Sequence, residues 1–445
     1  MSDPIEEAAL SGGTAAEIAL SVEGAIAAGR LVAGARLPTV RELAARLAVS
    51  PATVNAAYRT LRNRGLVAAA GRAGTRVLER TAPMNRALGA PVGPGVRDLA
   101  DGNPDPALLP PLRPALAELS GRQWLYGESG NLPALLDWFR LDFERDGLAA
   151  DHLAVTGGAM DSIERVLQAH LWPGDAVIVE DPGFGGVLDL VSALGLRPIA
   201  VPVDDDGLRA DLLQRALEQR PAACVLTPRA QNPTGAALSP ERAAELRKVF
   251  QRHENVLVIE DDHASAIAGT EAVTVAGQGD FRHWAVLRSV TKYLGPDLRL
   301  SVVSGDQLTV DRVLRRQQVG AGWVSHLLQE LAVAILLDPA TPKLLASARE
   351  TYRERRQALT AALARRGITL SGRSGFNGWI ATPAEGAVAQ ALLARGWAVR
   401  TGEGFRTNVP AGLRVTFASL SPVEAEEFAA TLHAILRGDG RGYPA

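Results

Sequence analysis

The sequence predicts an α/β protein in two unequal parts: a small N-terminal module of paired helices, then a large domain on a mainly parallel sheet. Three observations predict it. Beyond about residue 98, short continuous apolar runs alternate with helical patterns, as strands covered on both faces require. From Thr14 to Arg80, ten arginines stand against four glutamates, a net +6 in a chain whose total is -2. Between these parts, residues 81–97 are rich in Pro, Gly and Ala and lack either period, which marks a linker.

The bulk numbers agree. At 445 residues the chain exceeds one ordinary core, and 47% hydrophobic with 22% charged residues is a globular composition. The one cysteine, Cys224, excludes an internal disulfide, and its run "AACVL" places it on a buried strand. No stretch approaches the roughly 20 apolar residues of a membrane span, and the N-terminus "MSDPIEEAAL" is acidic where a signal peptide is basic. A cytoplasmic location without a membrane partner is expected. A basic module on an acidic body points to a polyanionic partner for the module alone.

Within the module, "LPTVRELAARLAVSPATVNAAYRTLRNRGLV" reads as two short helices and a tight turn. Thr39 and Glu42 have capping-box spacing, and Val40, Leu43, Ala44 and Leu47 share a face. Ser50 and Pro51 suit an N-cap and first helical position, followed by the stripe Val54, Ala57, Tyr58 and Leu61. That leaves Ala52, Thr53, Asn55, Ala56 and Arg59 facing outward, as a recognition helix presents them to a major groove. "LVAAAGRAGTRVLE" then reads as two strands and a glycine turn, a wing placing Arg72 and Thr75 beside a DNA backbone or minor groove. A helical hairpin packed on the body is the competing reading.

In the large domain, "AVIVE" (176–180), "ACVLT" (223–227), "VLVIE" (256–260) and "SVVSG" (301–305) are the strands. Helical segments at 161–170, 186–194, 208–218 and 240–253 separate them. Ligands of such sheets sit at the carboxyl ends of the strands, and the motifs collect there. In "VTGGAMDSIERVL", Gly157 and Gly158 allow close approach, so the amides of Ala159 and Met160 can bind phosphate at a helix start, although a glycine pair is also ordinary turn chemistry. "VIEDDHASAI" puts Glu260, Asp261, Asp262 and His263 at a strand end. An acid there can hold a heterocyclic nitrogen protonated, bind a metal, or simply be solvated; one histidine among carboxylates is a poor transition-metal motif, and no metal is expected. "LTPRAQNPTG" projects Asn232 from a turn, and "EDPGFGG" offers Phe184 for ring stacking or for the core. The chain has only three lysines, Lys248, Lys292 and Lys343. In "LRSVTKYLGPDLRL" Lys292 can form a Schiff base with an aldehyde, which arginine cannot.

The order of these motifs carries more than any one of them. Residues 16–78 resemble the winged helix-turn-helix of the GntR superfamily. From about Asp98 onward the chain resembles a fold-type I aminotransferase, and the combination resembles the MocR/GabR-type transcriptional regulators. The resemblance implies domains at 14–80 and 98–445 joined by the linker 81–97, with pyridoxal 5'-phosphate (PLP) as cofactor. By the same resemblance Lys292 is the Schiff-base lysine, Asp261 the carboxylate beneath the ring nitrogen, Asn232 the partner of the ring's phenolic oxygen and Phe184 the stacking ring. Ser289, Arg299, Gly158, Ala159 and Met160 then belong to the phosphate site, Tyr126 to the phosphate of a neighbouring subunit in a homodimer, and Arg414 in "LRVTFA" to a ligand carboxylate. Arg41, Ser50, Ala52, Thr53, Asn55, Arg59, Arg72 and Thr75 become the DNA-facing set on a double-stranded operator.

Two departures stand out. Pro51 replaces a frequent arginine of the recognition helix, and His263 replaces the usual tyrosine, which suggests a cofactor titrating near neutrality. The resemblance implies a regulator whose effector is an amino-group ligand or PLP itself. A working aminotransferase with an accessory winged domain is the alternative.

Overall fold

The computed structural model describes residues 10–63, 66–69, 74–78, 92–277 and 281–438. The chain divides into two compact units: one reaches Met84 and takes in Leu171–Ala176 and Asp189–Pro198, and the other holds the remainder. Among the described residues no single helix is long and apolar enough to cross a membrane.

The N-terminal module contains α1 (Ala15–Ala27), α2 (Val40–Leu47) and α3 (Pro51–Asn63), then β1 (Val67–Ala69) antiparallel to β2 (Thr75–Val77). Thr14 with Glu17 and Thr39 with Glu42 form reciprocal capping boxes that start α1 and α2. Helix α2 ends on Ala48 in the left-handed region (φ 53°), and Ser50 Oγ accepts from Thr53 N at 3.1 Å to open α3. The expected stripe of Val54, Ala57, Tyr58 and Leu61 is buried in one cluster with Leu43, Ala44, Val67 and Val77. Tyr58 donates to Pro38 O at 2.8 Å, so even its hydroxyl is satisfied in the core. The wing strands form as expected, and residues 34–37 pair on β2 as well.

The large domain runs β3 (Arg97–Leu99), α4 (Leu112–Ala117), α5 (Pro133–Arg145), β4 (Leu153–Thr156), α6 (Ala159–His170), β5 (Ala176–Asp181), α7 (Gly185–Ala193), β6 (Arg197–Asp204) and β7 (Gly207–Leu208). It continues with α8 (Ala210–Leu217), β8 (Ala223–Leu226), α9 (Pro240–Phe250), β9 (Leu257–Asp262), β10 (Trp284–Ser289), β11 (Ser301–Gly305), α10 (Gln307–Gln318), α11 (His326–Leu337) and α12 (Thr341–Ala364). Last come β12 (Asn377–Ala381), α13 (Glu385–Leu393), β13 (Trp397–Thr401), β14 (Gly412–Thr416) and α14 (Pro422–Leu436).

An eight-stranded sheet has the order β4-β11-β10-β9-β8-β5-β6-β7. Its centre, β10, β9, β8 and β5, is parallel, and every residue of those strands is buried. The expected strand "SVVSG" is β11, and it runs antiparallel to both β10 and β4. A continuous apolar run reports burial on two faces and says nothing about direction. The second sheet, β12-β14-β13-β3, draws β3 in beside β13 as a parallel neighbour.

Candidate functional site

Strands β5, β8 and β9 are neighbours, and the apolar stretches of β5 and β9 carry carboxylates into the interior. Burying a charge is costly unless donors meet it, so the partners of each one are informative. Asp181 accepts from the amides of Thr407 and Asn408, each at 2.8 Å, and of Val409 at 3.2 Å. Glu260 accepts from Thr274 Oγ1 (2.7 Å) and the amides of Val275 and Ala276 (2.6 and 2.7 Å). Asp262 is forked by Arg229 (2.7 and 2.8 Å) and met by Arg288 Nε at 3.0 Å; the guanidiniums hold its carboxyl far below the usual range. Glu180 accepts from Thr227 and Gln231.

Asp261 differs. Its Oδ1 is buried without a partner, while His263 Nδ1 stands 3.9 Å from Oδ2. Burial, then the charges of Asp262 and Glu180, push its carboxyl up to about 7, opposed by Lys292. A buried acceptor left open invites a donor from a ligand. Among the described residues no cluster of three or more His, Cys, Asp and Glu side chains is arranged for a metal.

Lys292 follows β10, and its Nζ donates to Gly102 O at 2.8 Å. Burial and the charges of Arg414 and Arg299 lower its amine to about 8, although Asp101 and Asp261 pull the other way. Ser289 closes β10 with its hydroxyl bonded to Thr291 Oγ1 at 2.8 Å. Arg299, left-handed at φ 43°, brings its guanidinium to the start of α6: a Cβ on Gly158 (φ 102°) would stand 3.0 Å from Nη2. Only glycine suits that position, and the amides of Ala159 and Met160 begin the helix beside a fixed positive charge.

Arg414 on β14 donates to Asn232 Oδ1 at 3.4 Å and to Ala100 O, while its Nε has no partner. Burial, then Arg400 directly opposite it on β13, lowers it to about 10. Phe184 at the start of α7 lines a small cavity of about 20 Å³ with Asp261, Glu180 and Thr227. Tyr126 stands apart from this group. It is 93% exposed, and its ring meets the edge of Trp323.

The structure changes the reading of His263. Burial and the neighbouring Lys292 charge lower its imidazole to about 4, so it is neutral at pH 7 and titrates far below neutrality. In this structure His263 is therefore a neutral ring at pH 7. Sequence reasoning also missed Gly102 and the ion network. The signal for the network was present: Arg288 interrupts the apolar strand "WAVLRS", is fully buried, and bonds Asp142, Asp146 and Asp262. A charge inside a central strand requires such partners.

On the N-terminal module, Ala52, Asn55 and Arg59 are exposed on one side of α3 and Thr53 is half-buried. Arg41 and Ser50 are exposed at the start of α2 and of α3, and Thr75 opens β2. Arg72 lies outside the described residues.

Two family models match the chain: "Bacterial regulatory proteins, gntR family" over residues 14–77 and "Aminotransferase class I and II" over residues 132–432. A vitamin B6 salvage pathway transcriptional repressor, PtsJ of Salmonella typhimurium, is 42% identical over 429 residues, covering 96% of this chain and 99% of the relative. The HTH-type transcriptional regulator TauR of Rhodobacter capsulatus is 26% identical over 93% of this chain and 94% of its own. In fold, a Pyrococcus horikoshii kynurenine aminotransferase superposes with a TM-score of 0.72 at 20% identity, over 78% of this chain and 92% of that one. With both modules present in one order along nearly the whole length of a relative, the chain belongs to the MocR-type transcriptional regulators, GntR-family proteins whose winged helix-turn-helix is followed by an aminotransferase class I and II domain.

Proposed function

We propose that this protein is a PLP-dependent transcriptional repressor whose DNA affinity responds to PLP at Lys292. Residues 14–80 are its DNA-binding domain and 98–445 its sensing domain, working as a cytoplasmic homodimer on a double-stranded operator. The observation that carries the reading is the pairing of an amine lowered to about 8 at Lys292 with the open buried acceptor of Asp261, in a chain that also has a recognition helix. The name of the 42% identical relative supports vitamin B6 as the signal.

The cofactor, when bound, supplies an aldehyde that condenses with a primary amine and a ring that withdraws electrons from that carbon. The chain's own residues do the rest. With a pKa of about 8, roughly one Lys292 in ten is unprotonated at pH 7, against fewer than about one in a thousand for an ordinary lysine. Asp261 Oδ1, buried without a partner, would accept the ring N–H. Arg299, Ser289 and the amides of Ala159 and Met160 would hold the phosphate with a permanent charge and neutral donors. Asn232 and neutral His263 would flank the phenolic oxygen, Phe184 would stack on the ring, and exposed Tyr126 would reach the phosphate of a partner subunit.

A second reading, an amino-acid effector, is favoured by Arg414: a buried guanidinium with an unpartnered Nε is suited to a carboxylate. Gel retardation of the protein's own promoter DNA, with PLP alone and with PLP plus amino acids, decides between them. A change with PLP alone supports the first reading, and a change only with an added amine supports the second. No retardation under any condition sinks the regulator assignment.

A further inference from the structure

Glu180, near the end of β5, is a buried carboxylate that has no part in the roles above and shares a small cavity with Asp261 and Phe184. It is the penultimate residue of β5, buried, and accepts from Thr227 N at 2.9 Å, Thr227 Oγ1 at 3.0 Å and Gln231 Nε2 at 3.1 Å. Gln231 is committed at both ends. Its Nε2 also donates to Pro182 O at 2.8 Å, and its Oε1 accepts from Thr234 N and Oγ1 at 3.0 and 2.6 Å. The pair thus ties the turn after β5, which leads to Phe184, to the turn after β8, which carries Asn232.

The electrostatic surroundings single out the same residue. The charged and titratable groups around Asp261 are Asp262 on its own strand, Glu180 on β5, Lys292 after β10 and His263. Asp262 is compensated by Arg229 and Arg288, and His263 is neutral. Cys224 on β8, which faces Glu180, is held as a thiol by burial. The donors to Glu180 are all neutral, and burial pushes its carboxyl up to about 7, so when ionised it is a negative neighbour of Asp261 that no cation cancels. It also shares the small cavity with Asp261 and Phe184.

We infer that Glu180 is a positioning residue of the PLP site, fixing Asn232 through Gln231 and, when ionised, favouring the protonated form of the cofactor that Asp261 faces. The inference rests on the cofactor reading above. A negative charge nearby stabilises a cation, and losing it lowers the pH at which the cation gives up its proton.

The test is a visible absorption titration of the full-length, PLP-loaded protein, comparing wild type with Glu180→Gln and Glu180→Asp. Glu180→Gln is expected to lower the midpoint by about 0.5 pH unit or more and to weaken PLP affinity roughly tenfold, while Glu180→Asp, which keeps the charge, stays within about 0.2 unit. A folded Glu180→Gln protein with the wild-type midpoint overturns the inference. If that variant does not fold, Gln231→Leu decides, because it frees the Asn232 turn and leaves the carboxylate: a loss of about tenfold in PLP affinity supports the role, and unchanged affinity overturns it. A wild-type protein with no band overturns the cofactor reading itself, so the two failures are distinct.

Discussion

Lys292 Nζ donates to the carbonyl oxygen of Gly102 at 2.8 Å, joining two residues 190 positions apart. Gly102 lies just beyond β3, the first strand after the linker, and a Cβ on it (φ 72°) would stand 3.1 Å from Arg414 Nη1. One short segment therefore meets both the amine and the buried guanidinium of the site. Gly102→Val is expected to cost about 1–2 kcal/mol through left-handed strain alone and to weaken PLP binding by pressing on Arg414. Thermal unfolding and PLP titration of the variant check both effects.

Lys292→Ala is expected to lose the visible band of the PLP-loaded protein and any effect of PLP on DNA retardation, while free DNA binding persists. Lys292→Arg should behave the same way, since a guanidinium keeps the charge but does not condense with an aldehyde. A band that survives in either variant assigns the anchor elsewhere.

The rate of PLP uptake should rise roughly tenfold per pH unit up to about 8 and then level, because only unprotonated Lys292 attacks and its amine is lowered to about 8. His263→Tyr should leave the cofactor's titration between pH 6 and 8 unchanged, as the imidazole is already neutral above about 4. Stopped-flow absorbance and a static titration measure these; a midpoint moved by the exchange would return His263 to the titrating group.

Neighbouring aspartates should respond in opposite ways. Asp262→Ala leaves Arg229 and Arg288 short of their shared partner and should cost about 3–5 kcal/mol. Asp261→Asn removes a carboxyl raised to about 7. The folded state holds a proton there that the unfolded chain releases near pH 4, so this group's contribution to stability falls as pH rises through that window. Without cofactor, the stability of Asp261→Asn relative to wild type should therefore increase from pH 5 to pH 8. Denaturant unfolding at the two pH values tests the sign.

Arg59, exposed on the outer side of α3, should act on DNA alone. Arg59→Ala is expected to weaken promoter binding, to reduce the slope of log K against log salt by about 1 if its contact is a phosphate, and to leave the PLP spectrum unchanged. Fluorescence anisotropy over a salt series reads the slope, and an unchanged affinity removes Arg59 from the interface.

Local signals in the sequence were enough for much of the fold. Thr39 with Glu42 and Ser50 with Pro51 marked helix starts because capping bonds span only three residues, and the apolar runs marked β5, β8, β9 and β11 because burial follows composition. They could not show that β11 runs antiparallel, that β3 joins the second sheet, or that residues 34–37 add to the wing, since strand pairing is decided between segments far apart in the chain. The site divides the same way. Lys292, Asn232, Asp261, Arg299 and Arg414, singled out by residue type and order, lie near one another in the structure, and Ala52, Asn55 and Arg59 lie exposed on α3. Tertiary structure alone decided which buried carboxylates have donors and which one does not. It satisfied Asp181 and Asp262 from distant loops and strands, left Asp261 Oδ1 open, and moved His263 out of the neutral range. Side-chain chemistry is written residue by residue, but desolvation and hydrogen-bond partnership arise only when separated strands meet, and those set the charge at the site.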